Sequence, residues 1–87
     1  MTVYVVWTSA DLRELDPQDL PGPWREVVIA AEGLAFVESD DSLSAVHHAM
    51  KWSLPDGSAL AVAPLAGVPK AKGLAPGTNG WLRRRMA

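Results

Sequence analysis

The sequence predicts an α+β fold in which short strands surround one amphipathic helix. Two runs are rich in the apolar residues that strands favour, TVYVVWT at Thr2–Thr8 and ALAVAPL at residues 59–65. Between these runs, apolar residues recur at helical spacing over residues 42–53. Strand-like runs on both sides of a helical segment are typical of a helix that packs on a sheet.

Length and composition indicate a single domain over residues 1–87. Hydrophobic residues make up 48% of the chain, which is too many for a disordered segment. The lack of cysteine excludes disulfides and thiolate chemistry, and favours a reducing, cytoplasmic location. No apolar run reaches the roughly 20 residues that span a bilayer, and the N-terminus lacks a basic signal-peptide region. We therefore expect no membrane partner.

Charge is distributed unevenly along the chain, although the formal net charge is only −2. Residues 1–41 hold nine acidic and two basic side chains, whereas residues 42–87 hold six basic and one acidic. One interpretation is that the two halves attract each other within one fold or across a dimer. The alternative is that the basic half binds an acidic partner.

The N-terminal 24 residues predict a strand followed by an irregular segment. Thr2–Thr8 is apolar almost throughout, as in a central strand that is covered on both faces. Pro17 and the Pro21-Gly22-Pro23 triplet interrupt residues 9–24, which argues against a full helix there. We expect one or two short helical turns, packed by Leu12, Leu15 and Leu20.

Residues 25–39 predict a β-hairpin with its turn at Glu32-Gly33. The strands are expected at residues 26–31 and 34–38, because the Val-Val-Ile run favours a strand. Gly33 is expected to supply the positive φ that a tight turn needs. The alternative is a helix over residues 24–32 with Gly33 as its cap, which would leave a three-stranded sheet.

The C-terminal half predicts a helix, a strand, a loop and a short helix. The first helix is expected over residues 42–53, after the Asp40-Asp41-Ser42 cap, and the strand over residues 59–65 ends or lies at an edge at Pro64. Residues 66–80 read as a flexible Gly/Pro/Lys loop, and Thr78 or Asn79 caps a helix over residues 80–86. The first helix turns one apolar face inward, formed by Leu43, Val46, Met50 and Leu54, with His47 beside it.

This order of elements matches a ferredoxin-like split βαβ unit with a reduced first helix. Residues 2–65, with the strands TVYVVW and ALAVAPL, resemble small ferredoxin-like proteins of the CRISPR-adaptation-nuclease and VapD type. The resemblance implies this fold and a homodimer. The segment KAKGLAPGTNGWLRRR also resembles uncharacterised small actinobacterial and actinophage proteins.

The chain departs from that family where nuclease chemistry would lie. Nuclease members place an aspartate at the end of the first strand, where a dimer pairs two of them over a metal. Here Trp7, Thr8 and Ser9 hold that position, and Asp11 follows too late in the chain. The resemblance therefore implies a fold and a dimer, and a metal-dependent nuclease is the least favoured function.

Other catalytic patterns are missing from the sequence. His47 and His48 are neighbours, so on a helix they point about 100° apart and do not readily share a metal. No HExxH, GxSxG, Walker or GxGxxG motif occurs. We therefore expect no enzyme activity, no metal and no small-molecule cofactor.

Tryptophans and basic side chains are the candidate binding residues. Four tryptophans in a small domain are either core residues or anchors of an interface. Trp52 lies off the apolar helix face and is the best exposed candidate, followed by Trp81. The full candidate set is Trp52, Lys70, Lys72, Trp81, Arg83, Arg84 and Arg85.

Two functional hypotheses follow from these features. The first is a small non-enzymatic protein-interaction module, which forms a homodimer and binds another protein. The second is a nucleic-acid-binding protein, in which the basic C-terminal half holds phosphates and Trp81 stacks on a base.

Overall fold

The computed structural model describes residues 1–86, which form one four-stranded antiparallel sheet and two α-helices. The strands are β1 (Thr2–Thr8), β2 (Glu26–Ala31), β3 (Leu34–Ser39) and β4 (Leu60–Pro64). The helices are α1 (Leu43–Ser53) and α2 (Thr78–Met86), and two 3₁₀ turns lie at Leu12–Glu14 and Pro17–Asp19. The strand order is β2-β3-β1-β4. None of the helices in residues 1–86 has the length and apolar character needed to cross a membrane.

Strand β1 is central, as its nearly continuous apolar run predicts. Val5 of β1 lies opposite Phe36 of β3 on one side and opposite Ala63 of β4 on the other. Because successive side chains of a strand point to opposite faces, Tyr4 and Val6 enter one core while Val3 enters the other. The sheet therefore separates two hydrophobic layers.

The first face of the sheet is covered by α1. Val46 and Met50 of this helix are fully buried against Tyr4, Val6 and other residues of the sheet. The cap prediction is confirmed, because Ser42 Oγ accepts a hydrogen bond from the N–H of Ala45. The prediction for Leu43 was wrong: its side chain is 41% exposed, because the apolar face of the helix begins one turn later.

The second face of the sheet is covered by α2 and the segment that leads into it. Trp81 and Leu82 pack against Val3, Ala30 and Phe36. Helix α2 begins at Thr78, two residues before the predicted start. Thr78 is buried and is the first residue of the helix, so the prediction that it caps the helix from outside is wrong. Sheet burial fixes this short helix, because its sequence has low helix propensity at Asn79 and Gly80.

The segment after β1 forms two 3₁₀ turns, which confirms the prediction of one or two short helical turns there. Asp11 caps the first turn and Asp16 caps the second, each by accepting an N–H two residues on. Leu12 is fully buried in the core of the first face. Leu20 is only half-buried and lies outside that core. Trp24 packs against the core in its place, and its Nε1 donates to the Leu20 carbonyl.

The β2–β3 hairpin forms as predicted, so the sheet has four strands and the helical alternative for residues 24–32 is wrong. The predicted reason for Gly33 is also wrong, because Gly33 does not have a positive φ. A Cβ at this position would lie 2.4 Å from the carbonyl oxygen of Thr8. Gly33 is needed because two backbones approach closely there: its own carbonyl accepts the N–H of Thr8 at 2.9 Å.

Candidate interaction surfaces

Two of the four tryptophans are exposed. The side chain of Trp52 is 75% exposed, which confirms the prediction that it lies off the buried face of α1, and that of Trp7 is 50% exposed. Trp52 Nε1 donates to His48 Nε2 at 2.9 Å, and the two rings meet edge to face. The expectation that Trp81 is exposed was wrong: it is 6% exposed, because it packs together with Leu82 between α2 and the sheet.

A groove of about 200 Å³ lies beside Trp52, and we call it the Trp52 groove. It is formed where α1 ends and β4 begins, with Leu54 and Leu60 as its apolar floor. The remaining lining residues belong to the end of α1 and the turn before β4: Lys51, Pro55, Asp56, Gly57 and Ser58. An exposed indole next to an apolar groove is the kind of surface that anchors a protein partner.

The outer edge of β4 has no strand beside it, because β4 is terminal in the sheet. In an antiparallel pair, alternate residues direct N–H and C=O groups toward the partner strand. The N–H of Leu65 donates to Val3 and that of Ser9 donates to Ala59, which fixes the alternation. Leu60 and Val62 therefore direct their peptide groups outward, to the open side.

The edge of β4 is protected at one end by Pro64 but carries no charged side chain. Its sequence, LAVAP, contains no charged residue, and Pro64 is its only position without a donor. The opposite edge of the sheet, β2, is more covered. The carbonyl of Ala30 there accepts the N–H of Ala75, and both 3₁₀ turns pack beside the strand. The open edge of the sheet is thus β4.

The acidic and basic halves of the chain meet at one cluster, formed by Glu26, Glu38, Trp81 and Arg85. Arg85 pairs with both glutamates, and its guanidinium lies 4.5 Å from the centre of the Trp81 ring. Trp81 Nε1 donates to Glu26 Oε2 at 2.6 Å. This hydrogen bond, assisted by Arg85 and Arg84 and opposed by desolvation, holds the pKa of Glu26 below its usual value. The cluster fastens α2 to the sheet.

The other basic residues of the candidate set are not neutralised in this way. Among residues 1–86, no carboxylate lies within 4.0 Å of Lys70, Lys72, Arg83 or Arg84. Lys70 and Arg83 line one cavity of about 310 Å³, which we call the basic cavity. Lys72 and Arg84 are exposed and do not line it.

Asp11, the first acidic residue after β1, is bound by a neighbouring arginine. Both carboxylate oxygens of Asp11 accept hydrogen bonds from the Arg13 guanidinium, each at 3.0 Å. This pairing holds the pKa of Asp11 below its usual value. Within the described part of the chain, no three His, Asp or Glu side chains are grouped in a way that could hold a metal ion. His48 instead accepts the indole N–H of Trp52.

Sequence reasoning found Trp52 and the free basic residues, and it left open whether the strand over residues 59–65 ends or lies at an edge at Pro64. The lack of charge in ALAVAPL is not itself a sign of an edge, because exposed edge strands usually carry charged side chains. Which strand lies at an edge is decided by topology, and only Pro64 pointed to it. The grouping of Lys70 with Arg83 was missed, since it depends on the path of the loop between β4 and α2.

Comparisons of this chain with protein-family models, with curated proteins and with solved structures find no match. Its function therefore has to be inferred from its own surfaces.

Proposed function

We propose that this protein is a small interaction module that acts by binding protein, in the first place a second copy of itself. The observation that carries this proposal is the open, uncharged edge of β4, which runs directly into the Trp52 groove at Leu60. An edge of this kind binds another strand through main-chain hydrogen bonds, and a neighbouring groove holds a side chain of the partner. A second copy supplies a strand of matching length.

The strand arrangement supports a ferredoxin-like topology with a reduced first helix. Strand β3 lies between β1 and β2, and strand β1 lies between β3 and β4. This interleaving of two split units is what that topology requires. In this assignment the two 3₁₀ turns take the place of the first helix, and α2 is an addition that covers the second face of the sheet.

Pro64 restricts how two copies of β4 pair. Only Leu60 and Val62 offer outward N–H groups, because Pro64 has none. A twofold axis at Val62 places the two Val62 residues opposite each other and Leu60 opposite Pro64 of the partner subunit. Four hydrogen bonds then form, and every outward N–H finds a carbonyl. The product is one continuous eight-stranded sheet.

This arrangement also gives Trp52 a contact. In an antiparallel pair the start of one strand lies beside the end of the other. Trp52 and Leu60 line the same groove at the start of β4. In the proposed dimer, the exposed ring of Pro64 of the partner subunit therefore lies next to Trp52. Each dimer buries two indoles in this way, and tryptophan is the residue most enriched among interface anchors.

The mass of the protein in solution tests the proposal. Light scattering coupled to gel filtration is expected to give twice the chain mass of 9.3 kDa at about 100 μM, a concentration well above a micromolar dissociation constant. The Val62→Pro variant removes an outward N–H without removing a hydrogen bond inside the subunit, so it is expected to be folded and monomeric. Circular dichroism verifies its fold.

Pro64→Ala is the matched control. It adds an outward N–H opposite the Leu60 carbonyl of the partner subunit, so the dimer is expected to persist and to dissociate less on dilution. A wild-type protein that stays monomeric at 100 μM would contradict self-association. A dimer that survives Val62→Pro with a native spectrum would place the interface elsewhere than the β4 edge.

Nucleic-acid binding is the weaker candidate. It requires Trp81 to stack on a base, but that ring lies beneath α2 and carries Arg85 on it. Arg85 is also engaged by two glutamates. The remaining support for this hypothesis is a set of cations: Lys70, Lys72, Arg83 and Arg84. Trp81, the candidate aromatic residue beside them in the chain, offers no exposed ring for stacking.

A further inference from the structure

We infer that the basic cavity is a binding site for a phosphate monoester, a function separate from the β4 edge. The cavity is bounded by the loop after β4 and by α2. Its lining contains two cations and no carboxylate: Val68, Pro69, Lys70, Ala71, Asn79 and Arg83. A pocket in which positive charge is uncompensated and contributed by two separate elements is complementary to an anion.

The two cations are brought together by the fold and not by their position in the sequence. Lys70 lies in the loop and Arg83 on the outer face of α2, thirteen positions later. The Asn79 side chain fastens the two elements, since its Nδ2 donates to the carbonyl of Ala71 at 3.3 Å. Two like charges at one cavity repel each other, and an anion between them turns that repulsion into attraction.

In the part of the chain that the structure describes, Arg83 of the basic cavity lacks the carboxylate partner that three other arginines have. Arg13, Arg25 and Arg85 each contact a carboxylate in residues 1–86. Arg83 does not, although it lies on the same helix as Arg85. The nearest acidic residue before it in the chain is Asp56, which lines the Trp52 groove and not this cavity. Among residues 1–86, no carboxylate therefore offsets the charges of Lys70 and Arg83.

The features of the cavity favour a phosphate monoester over a nucleic-acid strand. Two cations match the double charge of a monoester, and an arginine donates two parallel hydrogen bonds to phosphate oxygens. The walls, Val68 and Pro69, are apolar and not aromatic, so no base stacks there. A nucleic-acid strand would also engage Lys72 and Arg84, which lie outside the cavity.

Nuclear magnetic resonance with inorganic phosphate as the probe tests the site. The ¹⁵N-labelled protein is titrated at pH 7.5 with sodium phosphate, and sodium chloride of equal ionic strength is the reference. Phosphate is expected to shift the amide signals of residues 68–71 and 79–83 in a saturable manner, with an apparent dissociation constant in the millimolar range, about 1–10 mM. Chloride is expected to leave them in place.

Variants that each remove one positive charge separate the site from general electrostatics. Lys70→Gln and Arg83→Gln are each expected to weaken phosphate binding about tenfold, the loss of one charge-assisted hydrogen bond. Arg84→Gln, on the same helix but outside the cavity, is the matched control and is expected to change the constant less than twofold. All three positions are exposed, so the fold is retained, and amide spectra verify this.

Three outcomes would overturn the inference. One is the lack of saturable shifts at 50 mM phosphate, and another is an equal response to chloride. The third is a single-stranded oligonucleotide that binds more tightly than phosphate and is weakened by Lys72→Gln and Arg84→Gln as much as by Lys70→Gln. That result would indicate an extended phosphodiester surface. Because Val62→Pro leaves the basic cavity intact, dimer formation and phosphate binding are tested independently.

Discussion

At the scale of single residues, a few side chains make the polar contacts between α2 and the sheet. Glu26 accepts from the indole of Trp81 and from Arg85, and Arg85 also reaches Glu38. The cluster joins the acidic and basic halves of the chain, as one of the two charge interpretations expects. The other interpretation, an acidic partner, keeps its support in Lys70 and Arg83, which this cluster does not neutralise.

The Glu26 contacts predict an effect of pH on stability. The pKa of Glu26 is lower in the folded protein than its usual value, mainly because the charged form accepts the Trp81 hydrogen bond. The resulting stabilisation is fully present above the unfolded pKa and is lost as pH falls through the lower, folded pKa. Glu26→Gln is therefore expected to lower the melting temperature at pH 7, and the difference from wild type shrinks toward pH 3.

Thermal melts by circular dichroism between pH 7 and pH 3 measure this difference. The carboxylate is about half exposed, so water weakens the effect and a shift of a few degrees is expected. Glu14→Gln serves as the control, because Glu14 is exposed and takes part in no ion pair among residues 1–86. An equal loss for both variants at pH 7 would show that the Trp81 and Arg85 contacts do not matter.

At the scale of elements, the turn of the hairpin and the 3₁₀ segment depend on single positions. Gly33 allows the β2–β3 turn to touch the end of β1, and Leu12 anchors the 3₁₀ segment that follows β1. Neither element would be stable alone, because a 3₁₀ turn and a two-stranded hairpin are both marginal in water. Tertiary contacts therefore determine these elements.

Gly33→Ala is expected to destabilise the protein by about 2 kcal/mol or more, because its Cβ would lie 2.4 Å from the backbone oxygen of Thr8. Gly67→Ala is the matched control. No atom lies within 4 Å of a Cβ at Gly67 and its φ is not positive, so its effect is expected within about 0.5 kcal/mol of zero. Urea unfolding measures both, and equal values would contradict the close approach at Gly33.

Leu12→Ala is expected to cost about 3 kcal/mol, as a large-to-small change at a fully buried position. Leu20→Ala changes the same chemical group at a half-buried position outside the core and is expected to cost less than about 1 kcal/mol. Urea unfolding again gives the comparison. Equal costs would mean that the 3₁₀ segment is not held by Leu12.

At the scale of the whole molecule, the sheet separates two surfaces that differ in character. The first face carries α1, the Trp52 groove and the acidic 3₁₀ turns, and the second face carries α2 and the basic cavity. The open edge of β4 lies between them. In the proposed dimer the two copies share this edge.

A dimer held by the β4 edge predicts a melting temperature that depends on protein concentration. Association stabilises the folded state by mass action, so a hundredfold rise in concentration adds roughly 2–3 kcal/mol once the dimer dominates. The wild-type protein is expected to melt several degrees higher at 500 μM than at 5 μM. The Val62→Pro variant is expected to have the same melting temperature at both concentrations. A wild-type melting temperature that does not change with concentration would contradict the dimer.

The sequence by itself determined the elements and most of their limits. Thr2–Thr8, the Ser42 cap and the interruption by Pro17 follow from local chemistry: side-chain shape, a capping oxygen and a missing N–H. Local chemistry also separated Trp52 from the buried face of α1, since helical spacing turns it away from Val46 and Met50. Periodicity is a property of neighbouring residues, so it can be read without a structure.

Tertiary structure alone decided what depends on distant parts of the chain. The burial of Trp81, the close approach that requires Gly33 and the placement of Lys70 and Arg83 at one cavity all join separate parts of the chain. The strand order and the path of the loop create these contacts. No local pattern encodes them, because the same residue types fit either a core or a surface until the fold assigns their neighbours.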